Sequence, residues 1–90
     1  MTVRISEATS AFLEAAAEDF QVQLGSSGLV ESMRLEAEGT RVALVATIRI
    51  GASRIDVSGR GGNLVTAYAD LGRHVAEPIL AATYRELLGA

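Results

Sequence analysis

The stretch RIDVSGRGGNLVTAYADL, Arg54 to Leu71, carries three signals in a row. Ile55 and Val57 alternate with Arg54, Asp56 and Ser58, which is the period of a half-buried strand. Gly59, Gly61 and Gly62 then supply flexible backbone, and Asn63 suits the cap of a helix whose apolar stripe begins at Leu64. A strand led through glycine onto a helix N-terminus leaves several N–H groups without intrahelical partners, beside a partial positive charge. Such a place can hold an anion or a carboxylate, and the same residues serve equally well as a turn and a cap with no ligand. Gly59, Arg60, Gly61, Gly62 and Asn63 are therefore the candidate ligand-binding residues, with Arg60 suited to pair with a carboxylate.

Upstream of this stretch the alternation continues. Met33, Leu35 and Ala37 face one way and Ser32, Arg34, Glu36 and Glu38 the other, in a strand that starts at Leu29. Gly39-Thr40 turns it into a second strand with Val42, Leu44, Ala46, Ile48 and Ile50 on one face. Its other face, Arg41, Ala43, Val45, Thr47 and Arg49, is half apolar, as in a central strand partly covered on both sides. Gly51-Ala52-Ser53 turns again into Arg54–Ser58. Before the strands, Ser6 suits a helix cap, and Ile5, Ala8, Phe12, Ala16 and Phe20 mark one buried stripe of a helix over residues 6–19. The period then reads as two at Phe20, Val22 and Leu24, which predicts a short strand or extended exit before Gly25-Ser26-Ser27-Gly28.

Downstream, Leu64, Ala67 or Tyr68, Leu71, Val75, Ile79 and Ala82 keep a helical stripe. Pro78 interrupts it by clashing with the carbonyl of His74, so the helix either kinks or stops near Ala76 and restarts with Pro78 at its first position. Gly72 favours the stop. The expectation is one α+β domain over residues 1–90, running helix, three-stranded antiparallel meander, helix, with a break at Pro78. Helices on one face of the sheet would leave Ala43 and Val45 on an open face, where contact with a second copy or another domain would cover them.

Composition bounds what this domain can do. Its 90 residues are 49% hydrophobic but include only two Phe, two Tyr and no Trp, so Ala, Val, Leu and Ile must build the core. The chain has no Cys, hence no disulfide or thiolate chemistry. All eight basic residues are Arg, and the net charge of −3 argues against a surface built to neutralise phosphates. The start of the chain lacks a basic stretch followed by an apolar run, and Val42–Ile48 is too short to span a membrane. A cytoplasmic protein without cofactor, membrane or nucleic-acid partner is expected.

Catalytic patterns are weak. Asp70, His74 and Glu77 fall on one face of an unbroken helix and could orient a general base or share a metal, but His74 is the only histidine. Charged helix faces are commonly just solvated. Ser58 lacks the Gly-x-Ser-x-Gly frame of a nucleophile elbow, and Gly59-Arg60-Gly61-Gly62 matches neither a P-loop nor the dinucleotide fingerprint.

The run Ala43–Ile50, a turn, and Ile55–Ala67 together resemble one repeat of the C-terminal regulatory (LeuA dimerisation) domain of isopropylmalate and citramalate synthases. The resemblance covers residues 33–71. It implies a noncatalytic domain that pairs with a second copy and binds leucine or a related small molecule near the loop and helix N-termini, with Gly59, Gly61, Gly62 and Asn63 as ligand-contacting backbone and Ala67 allowing close packing. The chain departs from that pattern in reading Gly61-Gly62-Asn63-Leu64 where the first repeat commonly has Gly-Pro-Val-Asp, in holding one repeat instead of two, and in lacking a synthase barrel. The order helix, three strands, helix is also similar to the double-stranded RNA-binding fold, but the second helix starts Asn63-Leu64-Val65-Thr66 with no basic residue. The expected function is a noncatalytic regulatory or dimerisation module that senses a small carboxylate such as an amino acid and docks on itself or on an enzyme. An assembly module without ligand is the alternative, with a small enzyme or an RNA-binding-like domain behind it. On this reading Gly61→Val should abolish ligand binding and leave the fold intact.

Overall fold

A computed structural model describes residues 7–89, so Ile5 and the expected cap at Ser6 lie outside the described residues. The elements are α1 (Glu7–Leu24), a 3-10 turn (Gly25–Ser27), β1 (Leu29–Glu38), β2 (Arg41–Ile50), β3 (Ser53–Gly61), α2 (Leu64–His74) and α3 (Ala76–Leu88). The strands form an antiparallel sheet in the order β1-β2-β3, so the α+β meander is as expected. All three helices pack on one face, where Phe20 and Leu24 of α1, Leu71 of α2, and Ile79 and Ala82 of α3 meet Ala46, Ile48, Ile50 and Val57.

Three boundaries differ from the sequence reading. The expected short strand at residues 20–24 is helix instead. Phe20 and Leu24 satisfy a two-residue period and a four-residue one, and burial decides between them: both are buried, whereas Val22 is 80% exposed. Gln21 then fastens the helix end to the first strand, its Nε2 donating to the Gly28 carbonyl at 2.9 Å and its Oε1 accepting from the Val30 N–H at 2.8 Å. Secondly, β3 runs on through Gly61, leaving only Gly62 and Asn63 as the connection to α2. Thirdly, the helix does break, at Val75, and Pro78 is the third residue of α3, not its first. A proline is tolerated there because N–H groups in the first turn have no intrahelical acceptor.

Gly59 and Gly61 explain the seating of α2. Both face the helix layer from β3, and a Cβ on Gly59 would lie 2.6 Å from the Leu71 Cα and closer still to the Ala67 carbonyl and Leu71 N–H. A Cβ on Gly61 would lie 2.7 Å from the Ala67 nitrogen. The backbone of α2 thus rests directly on the backbone of β3, with Ala67 and Leu71 fully buried between them. The α1 helix is held beside α2 by Tyr68, whose ring meets Phe12 and Phe20 edge-on at 6.4 Å each. Its hydroxyl donates to Asp19 at 2.6 Å, and burial together with that carboxylate raises its pKa.

On the helix-free face, Ala43 and Val45 are 1% and 7% exposed, so the expectation that they need a second copy to cover them is corrected. Their cross-strand neighbours are Glu36 and Arg60 for Ala43, and Arg34 and Ser58 for Val45. Three ion pairs cross β2 from edge to edge: Arg60 with Glu38 at 2.8 Å, Arg34 with Asp56 at 3.3 Å, and Arg54 with Glu31. The edge strands lie about 10 Å apart, a gap that long side chains close only over small residues. The alkyl stems of Arg34 and Arg60 lie beside Ala43 and Val45 and cover them while the charged heads stay wet. Thr47 sits midway, accepting from Arg34 at 3.0 Å and donating to Asp56 at 2.7 Å; that bond to Asp56, followed by the one Asp56 accepts from Arg34 at 3.3 Å, holds the Asp56 carboxyl below its ordinary range.

Gly59→Ala should cost about 3 kcal/mol or more, the upper end of overpacking effects, because backbone and not a mobile side chain occupies the space. On a domain this small that lowers the thermal midpoint by roughly 4 to 8 °C per kcal/mol. Gly62→Ala, with nothing within 4 Å of the added carbon, should leave the stability within about 0.5 kcal/mol of wild type. Thermal melts of both variants by circular dichroism check the contrast.

Candidate functional site

The structure divides the five expected ligand residues. Gly59 and Gly61 are strand residues covered by α2, and their lack of a side chain is used in packing. Gly61→Val would therefore disturb the fold itself, against the expectation from sequence. Asn63 builds a complete capping box: its Oδ1 accepts from the Thr66 N–H at 2.9 Å, and the Thr66 hydroxyl accepts from the Asn63 N–H at 3.2 Å. Two donors at the mouth of α2 are thereby satisfied within the chain. Asn63 lines a separate apolar cavity of 650 Å³ with Phe12, Leu35, Val42 and Leu64. Arg60 and Gly62 are exposed, and both border a cleft of 420 Å³.

That cleft lies between the start of β2, the end of β3 and the outer face of α2. Arg41, Arg60 and Arg73 line it with Gly61, Gly62, Thr66 and Asp70. The hairpin register brings them together, since Val42 pairs with Gly61 and so sets Arg41 next to the Gly62 turn. On α2, Thr66, Asp70 and Arg73 recur at four and three residues and share one helix face. The Arg60 guanidinium is already paired with Glu38. Among the described residues, neither Arg41 nor Arg73 makes a hydrogen bond or ion pair through its side chain, so both are available to an incoming anion.

Asp70 sits in the midst of these cations. Its Oδ2 accepts the Arg60 N–H at 2.9 Å, capping a donor on the free edge of β3. That bond, followed by the nearby charges of His74, Arg73 and Arg41, holds its carboxyl below the ordinary carboxylate value. The cleft is thus net positive on an acidic protein, with one fixed carboxylate in its wall. Arg41 and Arg73 were not singled out from sequence. The charged stripe on α2 was legible, but its juxtaposition with Arg41 depends on strand register.

The expected set Asp70, His74 and Glu77 is split by the helix break. His74 Nδ1 lies 2.8 Å from the Asp70 carbonyl and 3.5 Å from its carboxylate, at the C-terminus of α2, where a cationic side chain complements the helix dipole. Glu77 is on α3 and borders another groove, with Ile55, Asp56, Pro78 and Tyr84. Ser58 shares a shallow depression with His74, Arg60 and Asp70, but among the described residues no hydrogen bond joins Ser58 to His74. No group of three His, Asp or Glu among the described residues is placed to hold a metal. Nor is any described helix long and apolar enough to cross a membrane. No protein-family profile, curated protein or solved structure matches the chain.

The lowered pKa of Asp70 sets a pH dependence. Its carboxylate stabilises the fold above the unfolded value of about 3.9, and that contribution is lost as pH falls through the lower folded value. Asp70→Asn should therefore be less stable than wild type at neutral pH, and the difference should shrink as pH falls below about 4. Urea midpoints measured across that range for the two proteins give the comparison.

Proposed function

We propose that the chain is a noncatalytic regulatory module that self-associates or docks on an enzyme, and that it takes a small carboxylate in the cleft between Arg41, Arg60 and Arg73. The observation that carries this reading is the pair of unpartnered guanidinium groups, Arg41 and Arg73, facing one 420 Å³ cleft. That volume suits a small molecule. Arginine is the side chain best fitted to grip a carboxylate through two parallel N–H···O bonds. Asp70 adds discrimination: an α-amino acid brings an ammonium group as well as a carboxylate, and Asp70 offers that ammonium an anionic partner in the same wall. A simple inorganic anion has nothing to offer Asp70.

A second reading, an assembly module without ligand, is favoured by a different observation. Gly59 and Gly61 are accounted for by the seating of α2, and Asn63 by its capping box, so three of the five expected ligand residues already have structural tasks.

Thermal melts with leucine, other branched-chain amino acids, their 2-oxo acids and inorganic phosphate separate the two. A ligand at a hundred times its dissociation constant adds about 2.7 kcal/mol, which moves the midpoint of so small a domain by roughly 10 to 20 °C. The expected result is a shift with an amino acid, absent from the Arg41→Gln/Arg73→Gln variant and larger than any shift with phosphate. Equal melts with every compound would remove the ligand and leave the assembly reading.

A further inference from the structure

The α3 helix is apolar on both sides. Its inner face is fixed: Ile79 and Ala82 are buried in the core, and the Glu86 carboxylate accepts the Ala52 and Ser53 N–H groups at the β2–β3 turn. The opposite face carries Leu80, Tyr84, Leu87 and Leu88 at 69%, 64%, 75% and 73% exposure. These are four of the seven large apolar side chains exposed among the described residues. A helix that is hydrophobic all round is characteristically buried, yet within this chain only one side of α3 is.

The charges on the outward face point to a particular occupant. Glu77, Ala81 and Arg85 follow one another at four-residue intervals, and all three border the groove between α3 and β3. Among the described residues neither Glu77 nor Arg85 makes a side-chain hydrogen bond or ion pair. Each lies four residues, about 6 Å along the axis, from Ala81. If a second α3 crosses the first antiparallel with Ala81 against Ala81, each Glu77 meets the Arg85 of the second copy. Tyr84 of one copy then lies between Leu80 and Glu77 of the other. A small residue at the crossing point lets the backbones approach, as helix packing requires, and the twofold arrangement is self-complementary, which an isologous dimer must be.

We propose that the chain pairs with a second copy of itself through the outward face of α3, antiparallel about Ala81, with reciprocal Glu77–Arg85 contacts. This rests on the self-association part of the reading above, and it places the contact on α3 instead of on the helix-free face of the sheet.

Sedimentation equilibrium of the full chain from micromolar to near-millimolar concentration tests both levels. A reversible dimer is expected, converted to monomer by Leu80→Glu with an unchanged far-ultraviolet spectrum, since Leu80 is an exposed position. Glu77→Arg and Arg85→Glu should each weaken the dimer at least about tenfold, because like charges are set against each other, and the double reversal should restore it. A wild-type chain that is monomeric throughout would overturn both self-association and this surface. A dimer indifferent to Leu80→Glu would overturn the surface and leave self-association standing, and a double reversal no tighter than the single ones would overturn the antiparallel arrangement.

Discussion

Backbone-to-backbone contact between β3 and α2 is the constraint on which the rest of the structure depends. Two glycines alternating on the inner face of β3 allow a helix to lie at a distance that no side chain would permit, and Ala67 on the helix completes the approach. From that contact follow the short Gly62-Asn63 connection, the direction in which α2 leaves the sheet, and the position of Tyr68 as a wedge between the two phenylalanines of α1. It also fixes the outer face of α2 beside the ends of β2 and β3, which is where the arginine cleft lies. The glycines that first suggest a ligand loop shape the site indirectly, by setting the floor and wall in place.

Two groups of arginines have different physical tasks. Arg34, Arg54 and Arg60 spend their length crossing the sheet to carboxylates on the far edge strand. Exposed ion pairs of this kind add little stability singly, and their larger effect is coverage: their alkyl stems shield the small central residues from water. Arg41 and Arg73 border the cleft at the end of the sheet, beside Asp70, whose carboxyl both help hold in its charged form. Among the described residues three arginines are thus occupied and four are not, and two of those four, Arg41 and Arg73, share one cleft.

A domain built largely from Ala, Val, Leu and Ile has little apolar volume per residue and a correspondingly modest core. The sheet resolves this on one side with charged stems and on the other with three helices. Only α3 is left with a large apolar face turned outward, because its inner positions are committed to Ile48, Ile50 and the β2–β3 turn. Oligomerisation is a usual way for small domains to gain buried surface, and α3 is where this chain has surface to offer.

The sequence by itself determined the element order, the antiparallel meander, the central character of β2 and the helix break near Pro78. These are local matters of alternation, turn residues and proline chemistry, and short-range physics settles them. It misread the end of α1 as a strand or extended exit, since Phe20 and Leu24 fit a two-residue period as well as a four-residue one, and only their burial in the core, with Gln21 tied to β1, selects the helix. Only the tertiary structure decided that Gly59 and Gly61 belong to packing and not to a ligand loop, that Ala43 and Val45 are covered within the chain, and that Arg41 joins Arg60, Asp70 and Arg73. A glycine reads the same whether its missing Cβ makes room for a ligand or for a helix, and residues 32 positions apart become neighbours only when strand register and helix seating place them so.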